Sequence, residues 1–584
     1  MPPQIPSSPL PLKVASSSPL SLSTTPPQGF CFVFSSMEAI RRQSPTSGFF
    51  SPETGIYRSK HRPAALPQDP FVDLDSYVFS FPHQGVTALV DSRSGASIAY
   101  AELRGMVRSL AAGLSRVGIT SKDVVLVMLP NSILFPVVFL GVLSVGAVFS
   151  TMNPLSSAEE IKKHMSLCRF TFIFTVPSNV AKLGGLGVKI VTVPEEPEFD
   201  AHKFVLFNSL ISSDPNDAPR PVIRQTDTAA ILFSSGTTGA SKGVVLTHRN
   251  LIATVELFVR SEASLYGSES WRNVYLTAIP MFHVYGLSLF SMGLLSLGST
   301  IVVMRKFDVE EAVRAIDAFN VTHFPTVPPI MTALIRAKGA TGCRLQSLVQ
   351  VSCGAAPIAP KTIHDFLKAF PHVDFIQGYG LTESAAVGTR GFNTINCRRH
   401  ISVGLLAPNM QAKIIDLETG SCLPPGTSGE LLLHGAAIMK GYLNDDNATS
   451  SAIIEDGWLK TGDIAYFDGD GYLYILDRLK ETIKYKGFQI APADLEALLN
   501  AHPDIVDAAV TAAKNEEAGE IPVAFVVTRS GSKLSSTDVI EFVAKQVTPY
   551  KKVREVVFVN SIPRSPAGKT LRRELRDTLA ASRM

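Results

Sequence analysis

AAILFSSGTTGASKGVVLTH, residues 229–248, places the polar loop Ser234-Ser235-Gly236-Thr237-Thr238-Gly239-Ala240-Ser241-Lys242-Gly243 between two apolar runs of strand type. Its glycines let the backbone approach an anion and turn amide N–H groups toward it. Five hydroxyl side chains add donors, and Lys242 adds a positive charge that can meet a polyphosphate. The spacing is not a Walker loop, because Ser241 stands where the second glycine belongs. Nor is there a dinucleotide fingerprint, since Gly185-Leu186-Gly187 and Gly378-Tyr379-Gly380 both lack the third glycine in place. A Ser/Gly/Thr run alone is often only a flexible loop. Between two strong strands, and with a lysine inside it, this one reads as a phosphate site.

Strands and helices alternate on either side of the loop. VVLVMLPNS (124–132) is a buried strand running into a turn, and a helix with Phe135, Phe139 and Val142 follows. IVTV, THFPTV and VQVSCG continue the pattern over some 300 residues. That predicts a layered α/β domain with several sheets. Beyond about residue 420 the texture turns to short strands. The last hundred residues read as a small α+β unit, with a helix opening at Pro492 and another after Ser535-Ser536-Thr537-Asp538. The expected organisation is a disordered Ser/Pro-rich tail (1–60), a large multi-sheet N-terminal domain (61–476), a link at 477–480 and a small C-terminal domain (481–584). Residues 1–36 hold nine Ser, eight Pro, no acid and one basic residue, Lys13, too little arginine for a transit peptide. Met37 is an alternative start.

Composition narrows the function classes. Of 584 residues, 45% are hydrophobic and 18% charged, so the chain can bury large cores. A net charge of +3 gives no bulk case for nucleic-acid binding. Six cysteines without a CxxC pair exclude a disulfide scaffold, a zinc ribbon and a thioredoxin motif. Residues 133–150 carry no charge and residues 281–304 only His283. Both stretches are interrupted by Gly, Pro or Ser, so they read as buried helix–strand units rather than membrane spans.

Further segments follow in order. They are Pro280-Met281-Phe282-His283-Val284-Tyr285-Gly286, Gly354-Ala355-Ala356-Pro357, and Gln377-Gly378-Tyr379-Gly380-Leu381-Thr382-Glu383-Ser384. After them come GELLLHGAAIMKGYL from Gly429, Thr461-Gly462-Asp463, and Asp477-Arg478-Leu479-Lys480. The series ends with Ile483-Lys484-Tyr485-Lys486-Gly487-Phe488-Gln489 and Pro563-Arg564-Ser565-Pro566-Ala567-Gly568-Lys569. Together with the loop they resemble the adenylate-forming, acyl-activating enzymes over roughly 84–575. The wording KYKGFQIAPADLEALL resembles the plant 4-coumarate–CoA ligase and ligase-like branch, including its peroxisomal type.

The resemblance implies an ATP-dependent acid–CoA ligase with ATP, Mg²⁺ and coenzyme A as cofactors. A carboxylate attacks the α-phosphate, and a thiol then takes the acyl group. Bringing an anion against a tetra-anion calls for cations and oriented donors. Lys569 is implied as the cation at the α-phosphate and carboxylate, although residues 545–576, with nine basic and two acidic groups, also read as a solvated face. Ser234, Ser235, Gly236, Thr237, Thr238 and Lys242 are implied around the phosphates. Gln377, Gly378, Tyr379 and Thr382 are implied at adenine and the α-phosphate, Asp463 and Arg478 at the ribose, and Glu383 at Mg²⁺. His283 is implied between the carboxylate and the CoA tunnel, positioning rather than transferring protons. Tyr285, Ala355, Gly380 and Gln489 are implied around the acyl group and adenylate. Lys484, Lys306, Lys486 and Gly487 are implied for the thioester step, and Lys480 as the pivot of a mobile small domain.

Three departures bear on substrate. Cys353 stands where the family usually has Ser. Leu289 stands where hydroxycinnamate enzymes carry a small polar residue, and is expected to narrow the pocket. Ser384-Ala385-Ala386-Val387 replaces Ala-Gly-Pro-Val, with Ala386 expected to open it. A hydroxycinnamate remains the expected acid, with a fatty acid or jasmonate precursor as the alternative. A different acyl acceptor and a non-catalytic nucleotide-binding relative are the rival functions. Ser582-Arg583-Met584 resembles the tripeptide read by the peroxisomal import receptor, implying a peroxisome, with the cytoplasm as alternative. A monomer is the expected state.

Overall fold

The computed structural model describes residues 48–195, 200, 202–234, 242–266, 269–393, 398–485, 488–515, 518–565 and 568–582. The quoted stretch falls in a seven-stranded sheet. Thr228–Ser234 pairs antiparallel with Lys242–Thr247, and parallel with Val148–Thr151 on its other side. Val124–Met128, Phe172–Thr175 and Lys189–Thr192 complete the parallel part. These strands are near-continuous apolar runs because helices cover both faces of a parallel sheet.

A second sheet of nine strands carries Asp374–Tyr379, Gln350–Cys353, His323–Thr326, Val274–Thr277, Thr300–Val303 and Thr87–Asp91 side by side, all parallel. A third, antiparallel sheet is built on Gln411–Ile415, Gly429–His434 and Trp458–Phe467. One apolar core joins the sheets of this large domain, running in sequence from Tyr57 to Leu473. The two uncharged stretches are helix Phe135–Ser144 with strand Val148–Thr151, and helix Val284–Ser288 with strand Thr300–Val303. Among the described residues no helix is long and apolar enough to cross a membrane.

The expected tail boundary at residue 60 is corrected. Phe50–Ser51 pairs with Ile56–Arg58, which in turn pairs with Gln411–Ile415 on the antiparallel sheet. Tyr57 is wholly buried and stacks on Phe467 at 4.4 Å, and its hydroxyl donates to the Leu423 carbonyl at 2.8 Å. Gly55 makes the turn at φ +66°, where a Cβ would overlap Cys422. Two short aromatic–apolar pairs around a Pro-Glu-Thr-Gly turn left little periodicity to read. Residues 1–47 lie outside the described residues.

The small domain is a five-stranded sheet with its own cores. Ile505–Asn515 and Gly519–Thr528 form a long antiparallel hairpin, and Glu555–Phe558 adds in parallel. Ile483, Leu495, Val510 and Val526 pack on one face, and Ala509, Phe525, Leu575 and Leu579 on the other. The alternation along each strand produces the two faces. Helices Pro492–Ala501 and Ser536–Ala544 begin where their capping chemistry predicts, the second with Ser535 and Asp538 in a reciprocal capping box.

Arg572 ties the link to this domain. Its guanidinium donates to Glu481 at 2.5 Å, to Glu496 at 2.6 Å and to the Val510 carbonyl at 3.1 Å, and the residue is buried. Removing one partner of such a buried network leaves uncompensated charge, costing about 3–5 kcal/mol. Arg572→Leu is therefore expected to speed amide hydrogen exchange in Pro492–Ala501 and Arg572–Ser582 by roughly a hundredfold or more. The sheets of the large domain should keep wild-type exchange, and equal exchange everywhere in the variant would refute the assignment.

Candidate active site

The carboxyl ends of the parallel strands, the antiparallel sheet and one turn of the small domain enclose a cavity of about 980 Å³. Ser234, at the end of its strand, and Lys242, at the start of the next, sit on its wall. Ser235, Gly236, Thr237 and Thr238, between them, lie outside the described residues. The Ser234 hydroxyl donates to Glu383 at 3.0 Å, and Tyr442 donates to the same carboxylate oxygen at 3.1 Å. Lys242 lies 4.8 Å over the Tyr442 ring. A cation, hydroxyls and one oriented carboxylate thus face the cavity beside the loop. A single oxygen ligand of this kind suits Mg²⁺ that keeps most of its coordination on phosphate and water.

The wall continues through Gly378, Tyr379 and Gly380, with the short turn Thr382–Ser384 after them. Gly380 has to be glycine, because a Cβ would come within 2.2 Å of the Ala386 carbonyl. Ala385 and Ala386 turn the chain through positive φ and Ala386 faces the cavity. The Tyr379 hydroxyl donates to Asp463 at 2.5 Å, and Arg478 pairs with the other oxygen of that carboxylate at 3.1 Å. Burial raises the Asp463 carboxyl, and Arg478 and the Tyr379 hydrogen bond pull it back. Tyr379 is held well above the ordinary phenol range by burial and by Asp463.

His283 caps the helix Val284–Ser288, its Nδ1 accepting the Tyr285 N–H at 3.4 Å. Both side chains face the cavity, with Gly354 and Ala355 beside Tyr285. Burial pushes the imidazole down to about 4, and the Lys569 charge pushes in the same direction. His283 is therefore a neutral imidazole near pH 7.

Lys569 reaches the cavity on a turn of the small domain. Ser565 and Lys569 exchange backbone and hydroxyl hydrogen bonds across the turn, and Arg564 donates to the Gly568 carbonyl at 3.3 Å. Gly568 takes φ +80° and lies against the large domain, where a Cβ would stand 3.2 Å from Val327. Burial lowers the Lys569 ammonium from the ordinary lysine value, Arg478 lowers it further, and Glu481 and Asp463 oppose them.

Several residues implied from sequence lie elsewhere. Gln377 turns away from the cavity, its amide donating to the carbonyls of His400 and Ile401 at 2.7 and 3.1 Å. Asp463 is buried behind Tyr379 and Arg478 rather than on the wall. Lys306 is exposed after its strand and is absent from the wall. Lys484 is exposed on the strand Ile483–Tyr485 and is absent from the wall. Lys486, Gly487 and the Gln489 side chain lie outside the described residues. Lys480 does line the cavity. Leu289 does not narrow it, since the residue packs into the core. Phe258 and Arg390 stand on the wall without having been singled out, and no local motif marks them.

The AMP-binding enzyme family matches residues 81–443, and the AMP-binding enzyme C-terminal domain matches residues 494–569. The chain is 59% identical over 538 residues to the 4-coumarate–CoA ligase-like 6 protein of Arabidopsis thaliana, covering 91% of this chain and 95% of the relative. It is 42% identical to the peroxisomal OPC-8:0-CoA ligase 1 of the same plant, covering 91% and 97%. Among solved structures, ATP-bound MatB of Rhodopseudomonas palustris superposes with a TM-score of 0.77 at 26% identity, covering 87% and 98%.

The effect of the Lys569 charge on His283 can be tested without turnover. Removing a nearby cation favours the charged imidazole, so Lys569→Met should raise the His283 midpoint from about 4. A histidine NMR titration reads this directly, with His283→Gln as the assignment control. An unmoved midpoint would place Lys569 away from the cavity.

Proposed function

This chain belongs to the AMP-binding enzyme family, and from that premise we propose that it is an ATP-dependent carboxylic acid–CoA ligase with the roles below. One carboxylate oxygen of the acid attacks the α-phosphorus of ATP, and the bond to pyrophosphate breaks. The thiol of CoA then attacks the acyl carbon of the adenylate. The bond to AMP breaks and the thiol proton passes to solvent. The observation that carries the reading is Lys569, whose partly desolvated ammonium enters the cavity alongside neutral His283.

The first step joins two anionic groups, so its barrier is mainly electrostatic. Lys569, Arg478 and Lys242 supply positive charge at the cavity wall. Mg²⁺, when bound with ATP at Glu383, would add charge neutralisation on the phosphates. Neutral His283 does not repel a cation at the reacting carboxylate and can orient it by hydrogen bonding. Tyr379 offers its ring to adenine, while Asp463 holds the Tyr379 hydroxyl and Arg478 in position.

Lys484 lies outside the cavity while Lys569 is inside it. That supports a small domain turning about Asp477 to Lys480 between the two steps. The acid is proposed to be a hydroxycinnamate or an oxylipin-like carboxylic acid, the second in view of the relative named for OPC-8:0. A peroxisomal location belongs to the same reading. It draws on that relative's name and on the small–basic–apolar chemistry of Ser582-Arg583-Met584, of which Arg583 and Met584 lie outside the described residues.

Two experiments test the reading. Incubation with Mg-ATP, CoA and a panel of hydroxycinnamates, medium- and long-chain fatty acids and cyclopentanone acids should give a CoA thioester by mass spectrometry, with stoichiometric pyrophosphate. Lys569→Ala should slow adenylation by roughly 10²–10³ while sparing thioester formation from a supplied acyl-adenylate. Pyrophosphate without thioester would transfer the activity to another acceptor, and ATP binding without pyrophosphate would make the chain a nucleotide-binding relative. Separately, a fluorescent reporter carrying the last ten residues should enter peroxisomes, and a diffuse reporter would count against that location.

A further inference from the structure

The cavity wall can be followed from neighbour to neighbour. His283 and Tyr285 stand at the start of one helix; a Cβ on Gly354 would lie 3.7 Å from the Tyr285 ring and 3.3 Å from the Gly378 carbonyl; and Gly378 pairs in register with Arg390. Along the wall the order is therefore His283, Tyr285, Gly354, Arg390. An acyl group whose carboxylate lies at His283 and which runs past Tyr285 ends at Arg390.

Arg390 is held firmly there. Its strand, Thr389–Arg390, pairs antiparallel with Gly378 and Tyr379. The guanidinium is ion-paired with Glu262 on the helix Ser261–Tyr266, and both side chains are largely buried, 13% and 14% exposed. It lies 4.9 Å over the ring of Phe258, which also faces the cavity. Tyr275 and His323 stack at 4.7 Å behind it. Burial and Arg390 push His323 down to about 4, so the charges facing each other here are Arg390 and Glu262, with Asp374 acting on Glu262. Taking a charge pair out of water is costly, and an apolar filling of the same volume is often at least as stable. Arg390 stands in the wall of the pocket with Glu262 paired to it from behind, a placement better explained by what the pocket binds.

Resting on the ligase reading, we propose that the Arg390–Glu262 pair is the specificity element of the acyl pocket. It selects acids that carry an uncharged oxygen acceptor, a keto or hydroxyl group, at the end remote from the reacting carboxylate. The guanidinium supplies a charge-assisted donor to that oxygen. Glu262 cancels the net charge and repels a second carboxylate, so α,ω-dicarboxylates are excluded. A plain alkyl or phenyl end would bury against the guanidinium without satisfying it.

Matched acids test this: decanoate, 9-oxodecanoate and decanedioate, together with cinnamate and 4-coumarate. CoA thioester formation is followed as kcat/KM. In the length class that is turned over, the wild type should prefer the oxygen-bearing acid over its plain partner by roughly ten- to a hundredfold. The double variant Arg390→Met/Glu262→Gln removes both charges together, and the preference should fall to within about threefold of unity. Glu262→Gln alone leaves a net positive end, and decanedioate should gain at least tenfold relative to 9-oxodecanoate. That gain cannot come from misfolding. Equal or better use of the plain acid by the wild type would overturn the proposal, as would an unchanged preference in the double variant. Both results leave the ligase reading standing. No thioester from any acid would overturn the ligase reading and this proposal with it.

Discussion

A carboxylate and the phosphates of a nucleotide repel each other, and a chain that joins them must bring positive charge into a place with little water. Here that charge arrives from outside the domain that forms the cavity. Lys569 is carried by a turn of the small domain, and the turn fits because Gly568 presents no Cβ to Val327 and Pro329. Much of the architecture follows from delivering one ammonium to that point. The turn is closed by hydrogen bonds between Ser565 and Lys569, and Arg564 anchors it to Asp507 at 2.8 Å. The domain carrying it has its own cores on both faces of its sheet.

Delivery also has a chemical condition. A buried lysine tends to lose its proton, and Arg478 makes that tendency stronger. Glu481 and Asp463 oppose it, so the carboxylates near the link serve the cation as well as their own partners. His283, neutral at the ordinary pH, adds no competing charge. Asp463 occupies a middle position, accepting from Tyr379 and pairing with Arg478 while staying off the wall. Its effect on a nucleotide is exerted through the two side chains it holds.

The sequence made the layered α/β plan legible because parallel strands buried on both faces must be apolar runs, as in VVLVM and AAILF. Helix starts at Pro492 and Ser535 were readable from capping chemistry, which is local. The hairpin at Phe50 to Arg58 was not, since its two strands are short and their partner, Gln411–Ile415, lies more than 350 residues away. The same limit governs the site. Ser234, Lys242, Tyr379, Glu383 and Lys569 stand in motifs and do meet at one cavity. Gln377 and Asp463 stand in the same motifs, yet the fold takes up their side chains, Gln377 on the His400 and Ile401 carbonyls and Asp463 on Tyr379 and Arg478. Leu289 was placed by its distance along a helix from Tyr285, but the helix passes into a π turn at that residue and Leu289 falls into the core. Arg390 and Glu262 belong to no motif. Only the fold shows that residues 128 apart make one ion pair in the pocket.

The link between the domains is ordered by hydrogen bonds to both of them. Asp477 is buried, and its carboxylate accepts the Ala493 N–H at 3.1 Å, at the start of the helix Pro492–Ala501. One residue past Arg478, Leu479 donates its N–H to the Gly462 carbonyl. The two bonds therefore point to opposite domains, Asp477 toward the small one and Leu479 toward the large one. Between them stands Arg478, paired with Asp463 of the large domain. Burial raises the Asp477 carboxyl to about 7, with Arg572 pulling it down, so its carboxylate form depends on the network that Arg572 builds inside the small domain. Asp477 is itself a strand residue of the large domain, paired with Ile464, so its bond to Ala493 crosses between the domains. Lys480 follows Leu479, exposed and facing the cavity. The Arg478 carbonyl accepts the N–H groups of Glu481 and Thr482 at 2.9 and 3.0 Å, so the chain on either side of Lys480 is tied together, and any turn of the small domain at this point has to break these bonds and the Asp477–Ala493 bond.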